Sequence, residues 1–283
     1  MKSENLTDYC AAGTTVTDQM LSLSDQISLR VITFTPAEPT TNPAVVFVAG
    51  WVSMIVAWRD VLREMTRDFV VYYLETREKR SAKVHRKAKF GVEAIGGDIA
   101  TFISRLSLKR GTYILFGSSL GATAILDCCR LLEQKPRCLI LIGPNAVFRV
   151  PRLGLAFIRL CPYYIYFLIR PLVKWYLRNF RLDLKTDYGQ YQKYSDALDF
   201  AEPWRLKRAL LALAKYTVWP QLPGIHIPAL IVGASKDVLH EPENLKKIVR
   251  QLPQATYLDL ETNKGTHSAV VVEEMRKFLR EVG

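Results

Sequence analysis

Short, fully apolar runs recur along the chain with amphipathic stretches between them. Ala44-Val45-Val46-Phe47-Val48, Tyr113-Ile114-Leu115-Phe116, Cys138-Leu139-Ile140-Leu141-Ile142 and Pro228-Ala229-Leu230-Ile231-Val232-Gly233 have the length and β-rich composition of strands buried on both faces. Phe69 to Leu74 and Ala255 to Leu260 predict two further strands, and the alternation of Ile27 to Phe34 predicts an outer one. Helices are expected over 55–67, 91–108, 122–132, 242–251 and 270–281. Strands alternating with helices predict an α/β protein: a mainly parallel sheet with helices on both faces. Residues 146–220 break the rhythm, being rich in aromatic and basic residues, and predict a helical cap between a first core part (1–145) and a second (221–283). In such sheets ligands bind beyond the carboxyl ends of the strands.

The strand at 113–116 runs into Gly117-Ser118-Ser119-Leu120-Gly121 and then an apolar helical run. Strand, G-x-S-x-G, helix is a nucleophile elbow, in which a sharp turn holds the central serine clear of the sheet. Glycines at 117 and 121 remove side chains that would collide in such a turn. A serine hydroxyl needs a base, and the base needs an orienting acid; in the fold that carries this elbow they follow in the chain order Ser, acid, His. Of four histidines, His267 follows the last strand and is the expected base. His240 follows a strand and is its rival, His226 precedes its strand, and His85 sits in a basic stretch. Asp237, after the strand ending at Gly233, is the expected acid; the alternative position after Ile142 holds Asn145, which cannot serve as an acid. Expected oxyanion donors are the backbone N–H groups of Leu120 and Trp51.

These residues resemble the α/β-hydrolase superfamily, in its branch of serine esterases, lipases, thioesterases and C–C hydrolases, over residues 25–145 and 221–283. The resemblance implies Ser119 as nucleophile, Asp237 as acid and His267 as base, with 146–220 at the cap position. Two departures stand out. Ala49-Gly50 replaces a common His-Gly, and Glu75-Thr76-Arg77-Glu78-Lys79-Arg80-Ser81 keeps an acid, an Arg and a Ser of an Asp-x-Arg-Gly-x-Gly-x-Ser run but loses both glycines. The expected reaction is cleavage of a small-molecule carboxylic ester or thioester with an apolar acyl group. Alternatives are transfer of the acyl group to an acceptor other than water, and a non-catalytic binding protein on the same fold. The chemistry calls for no cofactor and no metal.

Charge adds location. The net charge of +12 is accounted for by two stretches: seven Lys/Arg with one acid between Arg77 and Lys89, and eight with one acid between Arg149 and Lys185. Both leave carboxyl ends of strands and are expected to rim the mouth of the site, attracting anionic partners. No recognised nucleic-acid motif accompanies the charge, which makes nucleic acid the weaker partner. Residues 154–177 interleave aromatics and cations as an interfacial segment at an anionic membrane does, and as a cap with an apolar underside also does. The run Leu160–Ile169 is short of the about 20 residues that span a bilayer. Five cysteines without pairing or metal-ligand spacing, and an amino terminus lacking a signal peptide's apolar core, predict a cytoplasmic protein, at most peripherally attached to membrane.

Overall fold

A computed structural model describes residues 5–148, 150–181, 188–236 and 242–282. The strands are β1 (Thr15–Ser24), β2 (Ile27–Thr35), β3 (Ala44–Val48), β4 (Val71–Leu74), β5 (Lys83–Val84), β6 (Tyr113–Ser118), β7 (Cys138–Ile142), β8 (Ala229–Gly233) and β9 (Ala255–Asp259). They form one sheet in the order β1-β2-β4-β3-β6-β7-β8-β9, with β5 paired to β2. β1, β2 and β4 are antiparallel, and every pairing from β4 through β9 is parallel. The 27–35 segment is therefore not the outer strand its alternation suggests. β1 covers that edge, and most of its side chains are exposed.

Helices α1 (Arg59–Met65) and α2 (Val92–Arg105) alternate with the early strands, and α3 (Leu120–Cys128) follows β6. Between β7 and β8 lie α4 (Arg152–Leu160), α5 (Tyr166–Tyr176), α6 (Tyr188–Phe200) and α7 (Pro203–Leu213). Then come α8 (Pro242–Gln251), the single turn α9 (Asn263–Thr266) and α10 (Val270–Glu281).

Alternation along each strand splits the core in two. Val46, Val48, Leu115, Leu139 and Leu141 face α2, α3 and α8. Val45, Phe47, Ile114, Phe116 and Ile140 face α1 and α10. Arg276 on α10 ties that layer to α1 and the turn after it, bonding Glu64 at 2.7 Å and Asp68 at 2.6 Å. The strand order reverses between β3 and β6, whose ends pair at Val48 and Gly117. In sheets of this kind ligands bind at the carboxyl side of such a switch point, and the loops leaving it are Ala49-Gly50-Trp51 and Ser119-Leu120.

Candidate active site

Every residue from Tyr113 to Cys129 is buried except Ser119, which is half exposed. Ser119 has φ 49° and ψ −116°, a left-handed conformation that costs a non-glycine residue about 1–3 kcal/mol. Its surroundings over-determine that geometry. The Ser119 N–H donates to the Ile142 carbonyl at 2.8 Å, and the Thr123 N–H donates to the Ser119 carbonyl at 3.0 Å. A Cβ on Gly117 would lie 2.9 Å from the Ala122 backbone, and one on Gly121 only 2.1 Å from the Val48 oxygen. The two glycines let α3 turn back hard against β3 and β6.

The loop after β3 lies on the nucleophile, since a Cβ on Gly50 would come within 3.2 Å of the Ser119 Cβ. In the same loop Val52 has φ 48°, and the Ser53 N–H closes a turn on the Gly50 oxygen at 3.1 Å. Leu120 opens α3, so its N–H stands outside the intrahelical ladder, as an oxyanion donor there must. Trp51 carries a buried indole N–H with no hydrogen-bond partner among the described residues.

Asn145 cannot serve as an acid, and the structure gives it another place. Its Nδ2 donates to the Ser119 Oγ at 3.0 Å, while its backbone N–H donates to the Thr123 Oγ1 at 2.9 Å. The signal for it in the sequence is its position just past the carboxyl end of β7.

His267 closes α9 immediately after β9. Its Nδ1 lies 2.9 Å from the Asn263 carbonyl oxygen, which only accepts. In the neutral ring Nδ1 therefore carries the proton, and Nε2 holds the lone pair that a base needs. The imidazole stacks on Trp58, with centroids 4.2 Å apart and planes at 28°. Trp58 is fully buried and donates its indole N–H to the Ser53 Oγ at 3.0 Å. A ring stack and two hydrogen bonds thus run from His267 through Trp58 and Ser53 to Gly50, in the loop that lies on Ser119. Neither Trp58 nor this route is evident from the sequence. Asp237 and the rival His240 lie outside the described residues. His85 and His226 are exposed.

The first basic stretch differs from its expected solvated rim. Arg77 is buried and grips Asp98 of α2 with two hydrogen bonds of 2.6 Å. Lys79 is buried with its ammonium 5.5 Å from the Tyr73 ring centre, and burial pushes its pKa down against the pull of Glu75 and Glu78. Burial likewise pushes the Glu78 carboxyl up. The reason is the covering helix α7, whose Arg205 donates to the Lys79 carbonyl and whose Arg208 donates to that of Arg86. Only the later members, among them Lys83, Arg86, Lys87 and Lys89, reach solvent. Among the described residues no group of three or more His, Cys, Asp or Glu could hold a metal ion.

No family model matches the chain, and no curated protein matches its sequence. Solved structures do match, over nearly the whole length. A hydrolase from Pseudomonas aeruginosa PA01 superposes with a TM-score of 0.73 at 18% identity, covering 94% of this chain and 97% of its own. A thermophilic esterase from Thermogutta terrifontis gives 0.69 at 19% identity, covering 95% and 99%. The enol-lactonase from Burkholderia xenovorans LB400 gives 0.71 at 16% identity, covering 93% and 98%. The chain has the α/β-hydrolase fold. At these identities the likeness is one of architecture. Within an α/β-hydrolase fold, the half-exposed Ser119 stands at the elbow between β6 and α3, and His267 follows the last strand.

Proposed function

We propose that this protein is a serine hydrolase that cleaves a carboxylic ester or thioester with an apolar acyl group. The observation carrying the reading is the exposure of Ser119 alone in an otherwise buried strand, turn and helix, in a strained backbone conformation. Strain held by so many contacts at one reachable hydroxyl is the mark of a preorganised nucleophile. In the proposed reaction Ser119 Oγ attacks the acyl carbon as its proton passes to His267 Nε2, with the Nδ1–H, held at the Asn263 carbonyl in this structure, taken up by Asp237 as the orienting acid. The Leu120 and Trp51 N–H groups receive the oxyanion, and the leaving group departs with the proton from His267. Water, deprotonated by the same imidazole, then releases the acid. The names of matching structures, an esterase and an enol-lactonase among them, agree with ester chemistry. Unpaired cysteines agree with a cytoplasmic setting.

The test is labelling by a fluorophosphonate followed by turnover on acyl esters and thioesters. Ser119→Ala is expected to lose labelling and His267→Ala to lose turnover, and Asp237→Asn to lower kcat by up to about 10⁴-fold through a misoriented imidazole. A folded Ser119→Ala variant with unchanged turnover would overturn the assignment. Product appearing only when an added alcohol or thiol is present would identify an acyltransferase instead.

A further inference from the structure

Helix α5 is apolar almost all round. Tyr166, Ile169 and Val173 lie on one side, half buried, and the Tyr166 hydroxyl bonds the Leu198 carbonyl of α6 at 2.6 Å. Leu168, Leu172 and Trp175 follow the opposite side at helical spacing, Tyr164 lies in the turn before the helix, and all four are exposed. On α4, Leu153, Phe157 and Leu160 recur at i, i+4 and i+7 and are exposed too. The extremes are Leu153 at 87%, Leu160 at 82% and Leu168 at 80%. A helix apolar on both sides calls for cover on both, and apolar surface this continuous marks a place of contact.

The charges around this surface select the contact. From Ala146 to Arg181 the sequence holds seven Lys/Arg and no Asp or Glu. Arg170 and Lys174 meet Asp199 of α6, at 3.2 and 2.6 Å, and fasten α5 to the cap. Arg152, Arg159 and Arg178 are exposed beside the leucines. A second copy of the chain would set these cations against their own kind. An anionic surface would complement them.

No single described helix is long and apolar enough to cross a membrane, and α4 meets the 163–179 segment at 113°. Two short, sharply bent helices with an apolar outer side and flanking cations fit the plane of an interface rather than its normal. We propose that α4 and α5 form a docking surface for anionic lipid bilayers: Leu153, Leu160, Leu168 and Leu172 enter the acyl boundary while Arg152, Arg159 and Arg178 meet headgroups. The surface is independent of the catalytic reading.

The experiment is sedimentation of the full chain with phosphatidylcholine vesicles, with and without phosphatidylserine, at low and high salt. Binding is expected to rise with phosphatidylserine and to weaken with salt, which screens charges beyond about 10 Å near 0.1 M. Leu160→Glu with Leu168→Glu should abolish it, since each leucine withdrawn from water supports partition by roughly tenfold or more. Arg152→Gln, Arg159→Gln and Arg178→Gln should each lower binding by roughly fivefold. These side chains are exposed, so circular dichroism and melting should stay as in the parent protein. Ser119→Ala should bind as well as the parent, which separates this proposal from the nucleophile assignment. Absence of binding to every vesicle would overturn it. So would self-association that the leucine substitutions disperse while vesicles have no effect, which would assign the face to a second copy.

Discussion

Substitution of Trp58 tests whether the support beneath His267 is part of the catalytic device. The indole is fully buried, stacks on the imidazole at 4.2 Å and donates to Ser53 at 3.0 Å. Trp58→Phe keeps a ring under the histidine and removes the donor, at a stability cost of about 0.5–1.5 kcal/mol. Trp58→Leu removes the stack as well. Complete truncation of a core tryptophan costs about 3–5 kcal/mol, and leucine should recover part of that, which a domain stable by about 5–15 kcal/mol survives. An aromatic stack contributes about 0.5–1.5 kcal/mol beyond its area, so losing it from the productive imidazole pose should lower kcat by about 2- to 13-fold. KM should hold, because Trp58 is buried away from any substrate. The assay is steady-state hydrolysis of a small soluble ester across pH, beside a melting curve for each variant. Trp58→Phe should keep turnover within about twofold while Trp58→Leu falls further. A folded Trp58→Leu protein with the parent's kcat and pH profile would refute the reasoning.

The elbow and the buried ion pair give two further tests. Gly121→Ala drives a Cβ to 2.1 Å from the Val48 carbonyl and 2.7 Å from that of Ala49, and should lower the urea midpoint by an amount equivalent to about 1–3 kcal/mol. Gly97→Ala in α2 meets nothing within 4 Å and should stabilise by up to about 1 kcal/mol, so equal effects at the two sites would contradict the close approach of α3 to β3. Arg77→Met strands the buried Asp98 carboxylate and should cost about 3–5 kcal/mol; adding Asp98→Leu should restore the share due to the carboxylate, but not that of the Lys89 and Ala94 carbonyls that Arg77 also bonds. Additive losses in that double-mutant cycle would mean the pair is not what holds the 75–81 segment to α2.

The sheet was legible because its central strands are buried on both faces, and only continuous apolar runs survive there. The elbow was legible for a related reason. A Cβ at 117 would lie 2.9 Å, and one at 121 only 2.1 Å, from neighbouring backbone, so the close packing admits glycine alone and geometry writes itself into residue type there. Trp58 and Asn145 escaped because their work depends on partners remote in sequence. An apolar tryptophan reads as core whether or not a histidine rests on it. Asn145 has no acid to offer, and its capacity as a donor shows only once the fold sets its amide against Ser119.

The basic stretches show where charge misleads. A run of cations reads as solvated surface because isolated burial of a charge is so costly. Arg77 is nonetheless buried, and the sign of it lay in another helix: Asp98 shares the inward face of α2 with Ile95, Ile99 and Phe102, so a cation had to meet it. Across the cap the reverse holds. Periodicity does not separate an inner from an outer side on a helix that is apolar on both; the bonds of Tyr166, Arg170 and Lys174 to α6 distinguish them. The two basic stretches therefore differ in kind. Arg77 and Lys79 are consumed in holding the segment after β4 beneath α7, whereas Arg152, Arg159 and Arg178 remain exposed beside leucines. The cations of the first stretch that do reach solvent, Lys83, Arg86, Lys87 and Lys89, have no exposed leucine beside them in sequence, and that difference is what the vesicle experiment on α4 and α5 probes.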